Sequence, residues 1–298
     1  MLTITNLTKY YKKNVAVNHF DVDIKKGHIY GFIGPNGAGK TTFFKMLAGL
    51  AIPSEGEIMV STGEKFEKYK MKMSFMIEAP YLYEKMTAFE NMKIIGGIKG
   101  ESDDSVLLDY LKIVKLDQTG KKKVKDFSLG MKQRLGIACA LVGNPEIIVL
   151  DEPMNGVDPE GIVILREILL SLVEKRNVTL MISSHILSEL YNLSTDFIFI
   201  RNGNIVKKMT KDALDRLTSG VIEIGTDDVG VFDFLVQQYG VDNVTQKESY
   251  IYLTQDKKNP TEISKELIEK GFTFTGIREQ SVELETYYMR EIVGGSHE

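Results

Sequence analysis

The alternation of apolar and polar residues divides the chain into two regions, with the change near Leu214. Before this point, short apolar runs alternate with segments of helical periodicity, an order typical of a parallel α/β sheet. After it, the pattern predicts the order βαββαβ, with strands around residues 241–244 and at residues 272–277, followed by one more helix. This order matches a ferredoxin-like arrangement, and residues 294–298 are expected to fray. We therefore expect an α/β domain over residues 1–212 and a small α+β domain, with the ferredoxin-like fold as its candidate, over residues 213–298.

The first region combines three kinds of predicted structure. Residues 2–30 read as antiparallel strands, a β flap that leads into the core. Buried parallel strands are predicted at residues 29–33, 73–77, 147–150 and 178–182, and helices at residues 41–50 and 161–175. Residues 53–57 read as a turn, and residues 79–135 as an irregular helical arm inserted into the α/β domain.

A glycine-rich loop joins the predicted strand 29–33 to the helix after it. Its sequence, GPNGAGKT at residues 34–41, fits the phosphate-binding pattern G-x-x-x-x-G-K-[ST]. Glycines let the backbone turn tightly and point N–H groups at an anion, and the helix N-terminus adds partial positive charge. Lys40 can reach the terminal phosphates, and the Thr41 hydroxyl can bind Mg²⁺. The predicted nucleotide-binding residues of this loop are Gly34, Asn36, Gly37, Ala38, Gly39, Lys40 and Thr41.

Two carboxylates follow the apolar run at residues 147–150. Asp151 and Glu152 thus stand at the carboxyl end of a buried strand, where α/β proteins bind their ligands. Asp151 would hold Mg²⁺ or its water shell, and Glu152 would polarise the water that attacks the γ-phosphate. His185 follows the next core strand at the same edge, and this position favours a contact with the γ-phosphate.

Two tyrosines, Tyr10 and Tyr11, end the first predicted strand. An aromatic ring in this part of the chain could stack on a purine base. Two ordinary strand tyrosines would give the same pattern, so both interpretations stay open at this point.

Composition narrows the classes of function. The formal net charge of -4 gives no electrostatic case for binding nucleic acid, and we expect no nucleic-acid partner. Cys139, the single cysteine, lies in an apolar run that suggests a core residue rather than a nucleophile. The N-terminus lacks the layout of a signal peptide, and no apolar run approaches about 18 residues. A role at a membrane would therefore need a partner that holds the chain there.

The segment FSLGMKQR at residues 127–134 points to a family. With the motifs above, it resembles the signature motif of ATP-binding cassette (ABC) proteins, which usually reads LSGGQ before a basic and apolar helix. Ser128 and Gly130 keep the family pattern, while the residues around them depart from it. Residues 2 to about 210 look like one complete ABC nucleotide-binding domain.

The resemblance implies roles for further residues. In this family the loop includes Thr42, an aromatic residue stacks on adenine, and a D-loop and a switch histidine follow the Walker B carboxylates. The matching positions are Tyr11 for the aromatic residue, residues 34–42 for Walker A, Asp151 and Glu152 for Walker B, residues 155–158 with Asp158 for the D-loop, and His185 for the switch histidine.

Glu78 departs from the family pattern, which normally has Gln before the proline-containing loop. A carboxylate at this position would bind Mg²⁺ more strongly than an amide, and it leaves the turnover rate open. The acidic variant, together with SLGMKQRLGIA, is similar to the bacterial bacitracin-resistance and lantibiotic-immunity exporters.

The resemblance also implies partners and cofactors. ATP and Mg²⁺ would bind between two cassettes, identical or related, that close head to tail, with Ser128 and Gly130 of one facing the ATP of the other. Separate integral membrane permease subunits would hold the dimer at the cytoplasmic face of the cell membrane. Three alternatives stay open: a non-transport ABC ATPase acting on ribosomes or DNA, a regulatory ABC subunit, and a P-loop kinase.

Overall fold

The computed structural model describes residues 1–12, 14–218, 221–247, 249–254 and 259–280. The chain forms two compact units, Met1–Met209 and Thr210–Glu298. The change in hydrophobic pattern suggested a division after residue 212. No described helix is long and apolar enough to cross a membrane.

The first unit contains nine strands and seven helices among its described residues. In chain order they are β1 (Leu2–Tyr11), β2 (Asn14–Ile24), β3 (Ile29–Ile33), α1 (Lys40–Leu47), β4 (Glu55–Val60), α2 (Phe66–Tyr69), β5 (Met73–Met76), α3 (Ala88–Lys99), α4 (Asp104–Ile113), α5 (Leu129–Leu141), β6 (Ile147–Asp151), α6 (Pro159–Arg176), β7 (Thr179–Ser184), α7 (Leu187–Tyr191), β8 (Asp196–Arg201) and β9 (Asn204–Thr210).

Two sheets organise this unit. The larger has the order β5-β6-β7-β3-β8-β9, and its neighbours are parallel from β5 to β8. The smaller is an antiparallel flap with the order β2-β1-β4. The predicted α/β fold with a parallel core and a β flap is confirmed. Parallel register brings the carboxyl ends of β3, β6 and β7 to one edge, because Ile33 pairs with Ser184 and Asp151 pairs with Ser183.

A cluster of phenylalanines fixes α1 against the sheet and the flap. Phe43 of α1 is fully buried, and its ring centroid lies 5.3 Å from those of Phe20 and Phe32. Phe44 packs edge-on against Phe32 at 5.2 Å. Burial of each such ring contributes about 1.5–3 kcal/mol to folding. The cluster therefore anchors the helix whose N-terminus follows the glycine-rich loop.

The helical arm begins later than its sequence pattern predicts. Helix α3 starts at Ala88, and Thr87 and Glu90 form a reciprocal capping box there. The preceding residues 79–87 are not helical, because Pro80 and the extended Thr87 interrupt the helix. Gly136 of α5 allows this segment to approach, since a Cβ at Gly136 would lie 2.6 Å from the Cβ of Pro80.

The turn predicted at residues 53–57 is also shorter than expected. Strand β4 begins at Glu55 and pairs with Thr8 of β1. Most of β4 is exposed, so it carries little of the apolar alternation that reveals a strand.

The second unit has the predicted βαββαβ order after a first helix. Its elements are α8 (Lys211–Thr218), β10 (Val221–Gly225), α9 (Val229–Tyr239), β11 (Val244–Lys247), β12 (Tyr250–Thr254), α10 (Pro260–Glu269) and β13 (Gly276–Gln280). The antiparallel sheet has the order β11-β12-β10-β13, which is the ferredoxin-like arrangement.

Two strands of this unit begin later than predicted. The strand expected at residues 241–244 begins at Val244, after a 3₁₀ turn. The strand expected at residues 272–277 begins at Gly276. The predicted last helix and the expected fraying of residues 294–298 lie outside the described residues.

Candidate active site

The loop between β3 and α1 holds a nearly buried ammonium group. Lys40 is 5% exposed, and its Nζ donates to the carbonyl oxygens of Gly34 at 2.5 Å and Pro35 at 3.3 Å. No side chain caps α1, whose N-cap is Gly39. The first N–H groups of this helix therefore remain available to a ligand at the loop, where the helix dipole favours an anion.

Two glycines of the loop are required by close backbone contacts. A Cβ at Gly34 would collide with the carbonyl oxygen of Ile200, and one at Gly39 with that of Ala16. Gly39 also has a φ of +110°, which residues with a side chain rarely adopt. The flap and the hairpin β8–β9 thus contact the loop closely from two sides.

The acidic end of β6 meets the start of α1. The Thr41 hydroxyl donates to Asp151 Oδ2 at 2.7 Å, and Asp151 is 3% exposed. This contact joins Thr41 and Asp151, two of the three residues predicted to bind Mg²⁺.

Glu152 lies between a cation and a histidine. Its Oε1 is 3.3 Å from Lys40 Nζ, and its Oε2 is 2.9 Å from His185 Nδ1. The Oε1 atom is buried and has no aligned hydrogen-bond donor among the described residues. Glu152 adopts a φ of +49°, an unusual conformation for a residue with a side chain. The structure therefore brings together Lys40, Glu152 and His185, the three residues predicted to act on the γ-phosphate or on the attacking water.

A cavity of about 530 Å³ opens beside the loop. Its lining includes eight predicted cofactor-binding residues together with the predicted catalytic Glu152. These nine residues are Tyr11, Asn36, Gly37, Ala38, Gly39, Lys40, Thr41, Thr42 and Glu152.

Sequence reasoning missed five further residues of this lining, namely Asn14, Val15, Ala16, Asn202 and Gly203. The Asn-Gly pair is recognisable as a hairpin turn, yet its position is a tertiary feature. Gly203 N–H donates to the carbonyl of Ala38 at 3.0 Å, which brings the turn between β8 and β9 against the loop.

Glu78 lies apart from this cavity and forms an ion pair with Lys45 of α1 at 2.8 Å. The hydrogen bond from Lys45 lowers the pKa of Glu78, and the same bond raises the pKa of Lys45. Glu78 is exposed and Lys45 is partly exposed, so the pair contributes little to stability. To act as a metal ligand, Glu78 would have to leave Lys45.

The signature residues and the D-loop pack together at another part of the first unit. Ser128 caps α5 by accepting from Met131 N–H, and Asp158 caps α6 by accepting from Gly161 N–H. A Cβ at Gly130 would lie 3.1 Å from the Val157 side chain. Ser128, Gly130 and Asp158 are not among the described residues that line the cavity beside Lys40.

The sequence of this chain is similar to those of known proteins. Residues 17–155 match the family model described as ABC transporter. The bacitracin transport ATP-binding protein BcrA of Bacillus licheniformis is 37% identical over 99% of this chain and 98% of its own length. The lantibiotic transport ATP-binding protein SrtF of Streptococcus pyogenes is 45% identical over 73% of this chain and 94% of its own length.

The chain belongs to the ABC transporter ATP-binding protein family. It is an ATPase subunit of an ABC transporter, and the kinase alternative is set aside. Among solved structures, an ATP-binding subunit of an ABC transporter aligns with a TM-score of 0.63 at 28% identity, covering 73% of this chain and 92% of its own. A dimeric cassette bound to ADP and Pi aligns with a TM-score of 0.63 at 25% identity, covering 71% of this chain and 99% of its own.

The residues of this ABC ATPase fit a nucleotide. The backbone cradle, the Lys40 ammonium group and the N-terminus of α1 suit phosphate groups. No cluster of three His, Cys, Asp or Glu side chains able to hold a metal occurs in the described part of the chain. The hydroxyl of Thr41 and the carboxylate of Asp151 suit Mg²⁺, which usually keeps several waters and phosphate oxygens as its other ligands.

The collision at Gly39 predicts that Gly39→Ala weakens nucleotide binding more than Gly37→Ala. Both glycines have positive φ, so both substitutions carry backbone strain of about 1–3 kcal/mol. A Cβ at Gly37 meets nothing within 4 Å, whereas one at Gly39 strikes the backbone of β2. Calorimetric titration with a non-hydrolysable ATP analogue should show at least about a tenfold larger loss for Gly39→Ala. Equal losses would contradict this account of the loop.

Proposed function

We propose that this chain drives a membrane exporter of peptide antibiotics from the cytoplasmic face of the membrane. The observation that supports the proposal most strongly is that Glu152, which lines the cavity with Lys40, also contacts His185. This contact occurs in a chain that aligns over 99% of its length with a bacitracin transport ATP-binding protein. ATP binding closes a pair of cassettes, and hydrolysis reopens them.

Each residue around the cavity has its own role in binding or hydrolysing ATP. Lys40 turns from Glu152 and its loop carbonyls toward the terminal phosphates, because phosphate oxygens carry more negative charge than one carboxylate. Glu152 Oε1 is then free to accept a proton from the attacking water. His185 holds Glu152 through Oε2 and contacts the γ-phosphate. Tyr11, 47% exposed at the cavity, stacks on the adenine ring.

Thr41 and Asp151 would hold Mg²⁺, with Glu78 as an additional ligand once it leaves Lys45. The ion would neutralise charge on the phosphate oxygens. Thr41 and Asp151 are already in contact, whereas Glu78 needs a movement of its loop. We therefore assign the first two residues to the metal site itself and Glu78 to its closed form.

The second cassette completes the site. Ser128 and Asp158 are the N-caps of α5 and α6, and Gly130 lies in the first turn of α5, a setting that favours an anion. Because they do not line the cavity beside Lys40, we assign them to the ATP held by the partner cassette. This head-to-tail arrangement would make hydrolysis depend on dimerisation, whether the partner is an identical or a related chain.

A mostly apolar groove of about 480 Å³ is the proposed docking site for a permease. Its lining includes Ile77 and Ala79, the two neighbours of Glu78 in the chain, and also Tyr81 and Leu50, which are 93% and 70% exposed. Large exposed apolar side chains around a groove are typical of protein interfaces. Since Glu78 stands between two residues that line the groove, movement of its loop toward the metal would reach the permease.

The dimer proposal predicts that Glu152→Gln binds ATP but releases little phosphate. Loss of the general base should lower the rate by about 100-fold or more, while the neutral side chain still permits closure. Size-exclusion chromatography with light scattering should show a dimer that depends on ATP. Glu67→Gln, at an exposed ion pair on α2, is the matched control and should behave as wild type. A Glu152→Gln monomer with unchanged ATPase activity would refute the proposal.

The exporter proposal predicts a phenotype in the native cell. Deletion of the gene should lower the inhibitory concentration of bacitracin-like or lantibiotic peptides, because export removes such compounds from the membrane. Expression of the wild-type chain should restore resistance, and Glu152→Gln should not. Unchanged sensitivity to both peptide classes would contradict this substrate class while leaving the ATPase chemistry intact.

A further inference from the structure

Ser183, the last residue but one of β7, contacts both acidic residues of the site. Its side chain is fully buried. The hydroxyl donates to Asp151 Oδ1 at 2.5 Å and accepts from the backbone N–H of Glu152 at 2.9 Å. A serine hydroxyl has one proton to donate and lone pairs to accept, so both bonds form with consistent polarity.

The sheet register makes this contact possible. Asp151 and Ser183 are paired residues on the parallel strands β6 and β7, so their side chains lie on the same face. Phe32 of β3 also pairs with Ser183 and belongs to the core beneath α1. Ser183 therefore faces the helix that carries Thr41.

The two oxygens of Asp151 have different partners. Oδ1 accepts from Ser183, and Oδ2 accepts from Thr41. Without Ser183 the carboxylate would lose the bond that sets its rotation. The hydroxyl thus keeps Oδ2 directed at Thr41, where a metal would bind.

The bond to Glu152 supports an unfavourable backbone conformation. A left-handed conformation, such as the φ of +49° at Glu152, is unfavourable for a residue with a side chain. The Ser183 hydroxyl satisfies the N–H group of that residue. This turn directs the carboxylate toward Lys40 and His185.

We propose that Ser183 is a positioning residue for ATP hydrolysis, acting through one hydroxyl on both Asp151 and Glu152. It touches neither the nucleotide nor the water. It sets the direction of the metal-binding oxygen and of the general base at the same time. Its loss should therefore affect turnover and metal affinity much more than nucleotide affinity, which depends on the loop.

Three variants test this role. Ser183→Ala removes both bonds, and Ser183→Thr keeps the hydroxyl. Ser194→Ala is the matched control, because Ser194 is 2% exposed and its hydroxyl has no hydrogen-bond partner among the described residues. The measurements are kcat and KM for ATP by phosphate release, Mn²⁺ affinity in the presence of ADP by the electron paramagnetic resonance signal of free Mn²⁺, and the thermal unfolding midpoint.

Ser183→Ala should lower kcat by about 10- to 100-fold, as expected when hydrogen bonds to charged groups are lost, and leave KM for ATP within about threefold. Its Mn²⁺ affinity should fall by about tenfold. Ser183→Thr and Ser194→Ala should stay close to wild type in both kcat and Mn²⁺ affinity.

Equal kcat and Mn²⁺ affinity for Ser183→Ala and Ser194→Ala would overturn the proposal, whatever their unfolding midpoints. A loss in Ser183→Thr as large as in Ser183→Ala would also overturn it, because the hydroxyl would then not be the cause. If the alanine variant fails to fold, Ser183→Cys replaces it. The thiol is a weak donor, so kcat should fall, and unchanged kcat would refute the role.

Discussion

The nearly buried ammonium group of Lys40 is the constraint on which the rest of the site depends. A buried charge must be paired or hydrogen bonded, and here two loop carbonyls and Glu152 surround it. The phenylalanine cluster fixes α1, and α1 fixes the position of this lysine. If Lys40 turns to phosphate as proposed, nucleotide binding would have to rearrange its contacts with Glu152.

Parallel strand register explains how residues distant in sequence meet at this lysine. Asp151, Ser183 and the end of β3 lie at one edge, since β6, β7 and β3 are neighbours in the sheet. Asp151 and Glu152 are then close enough to contact Thr41 and Lys40 at the start of α1. The signature segment and the D-loop occupy helix N-termini elsewhere in the same unit, which is the geometry that a two-cassette enzyme would require.

Local motifs made much of this site predictable. Short sequence patterns were enough to predict the loop around Lys40, the acidic end of β6 and His185. The cavity lining at Gly203 and the pairing of Glu78 with Lys45 depend on tertiary contacts, which no local pattern contains. Ser183 stands two residues before His185, yet only the sheet register reveals its bond to Asp151. Exposed strands such as β4 lack the apolar alternation that makes buried strands recognisable.

Work as a subunit of a membrane transporter can be tested in the native cell. The chain is tagged there, the membranes are solubilised in mild detergent, and the co-purifying proteins are identified by mass spectrometry. We expect recovery of a permease with several membrane spans, together with a second cassette, identical or related. Recovery from the soluble fraction with ribosomal or DNA-associated proteins, and without a permease, would contradict it.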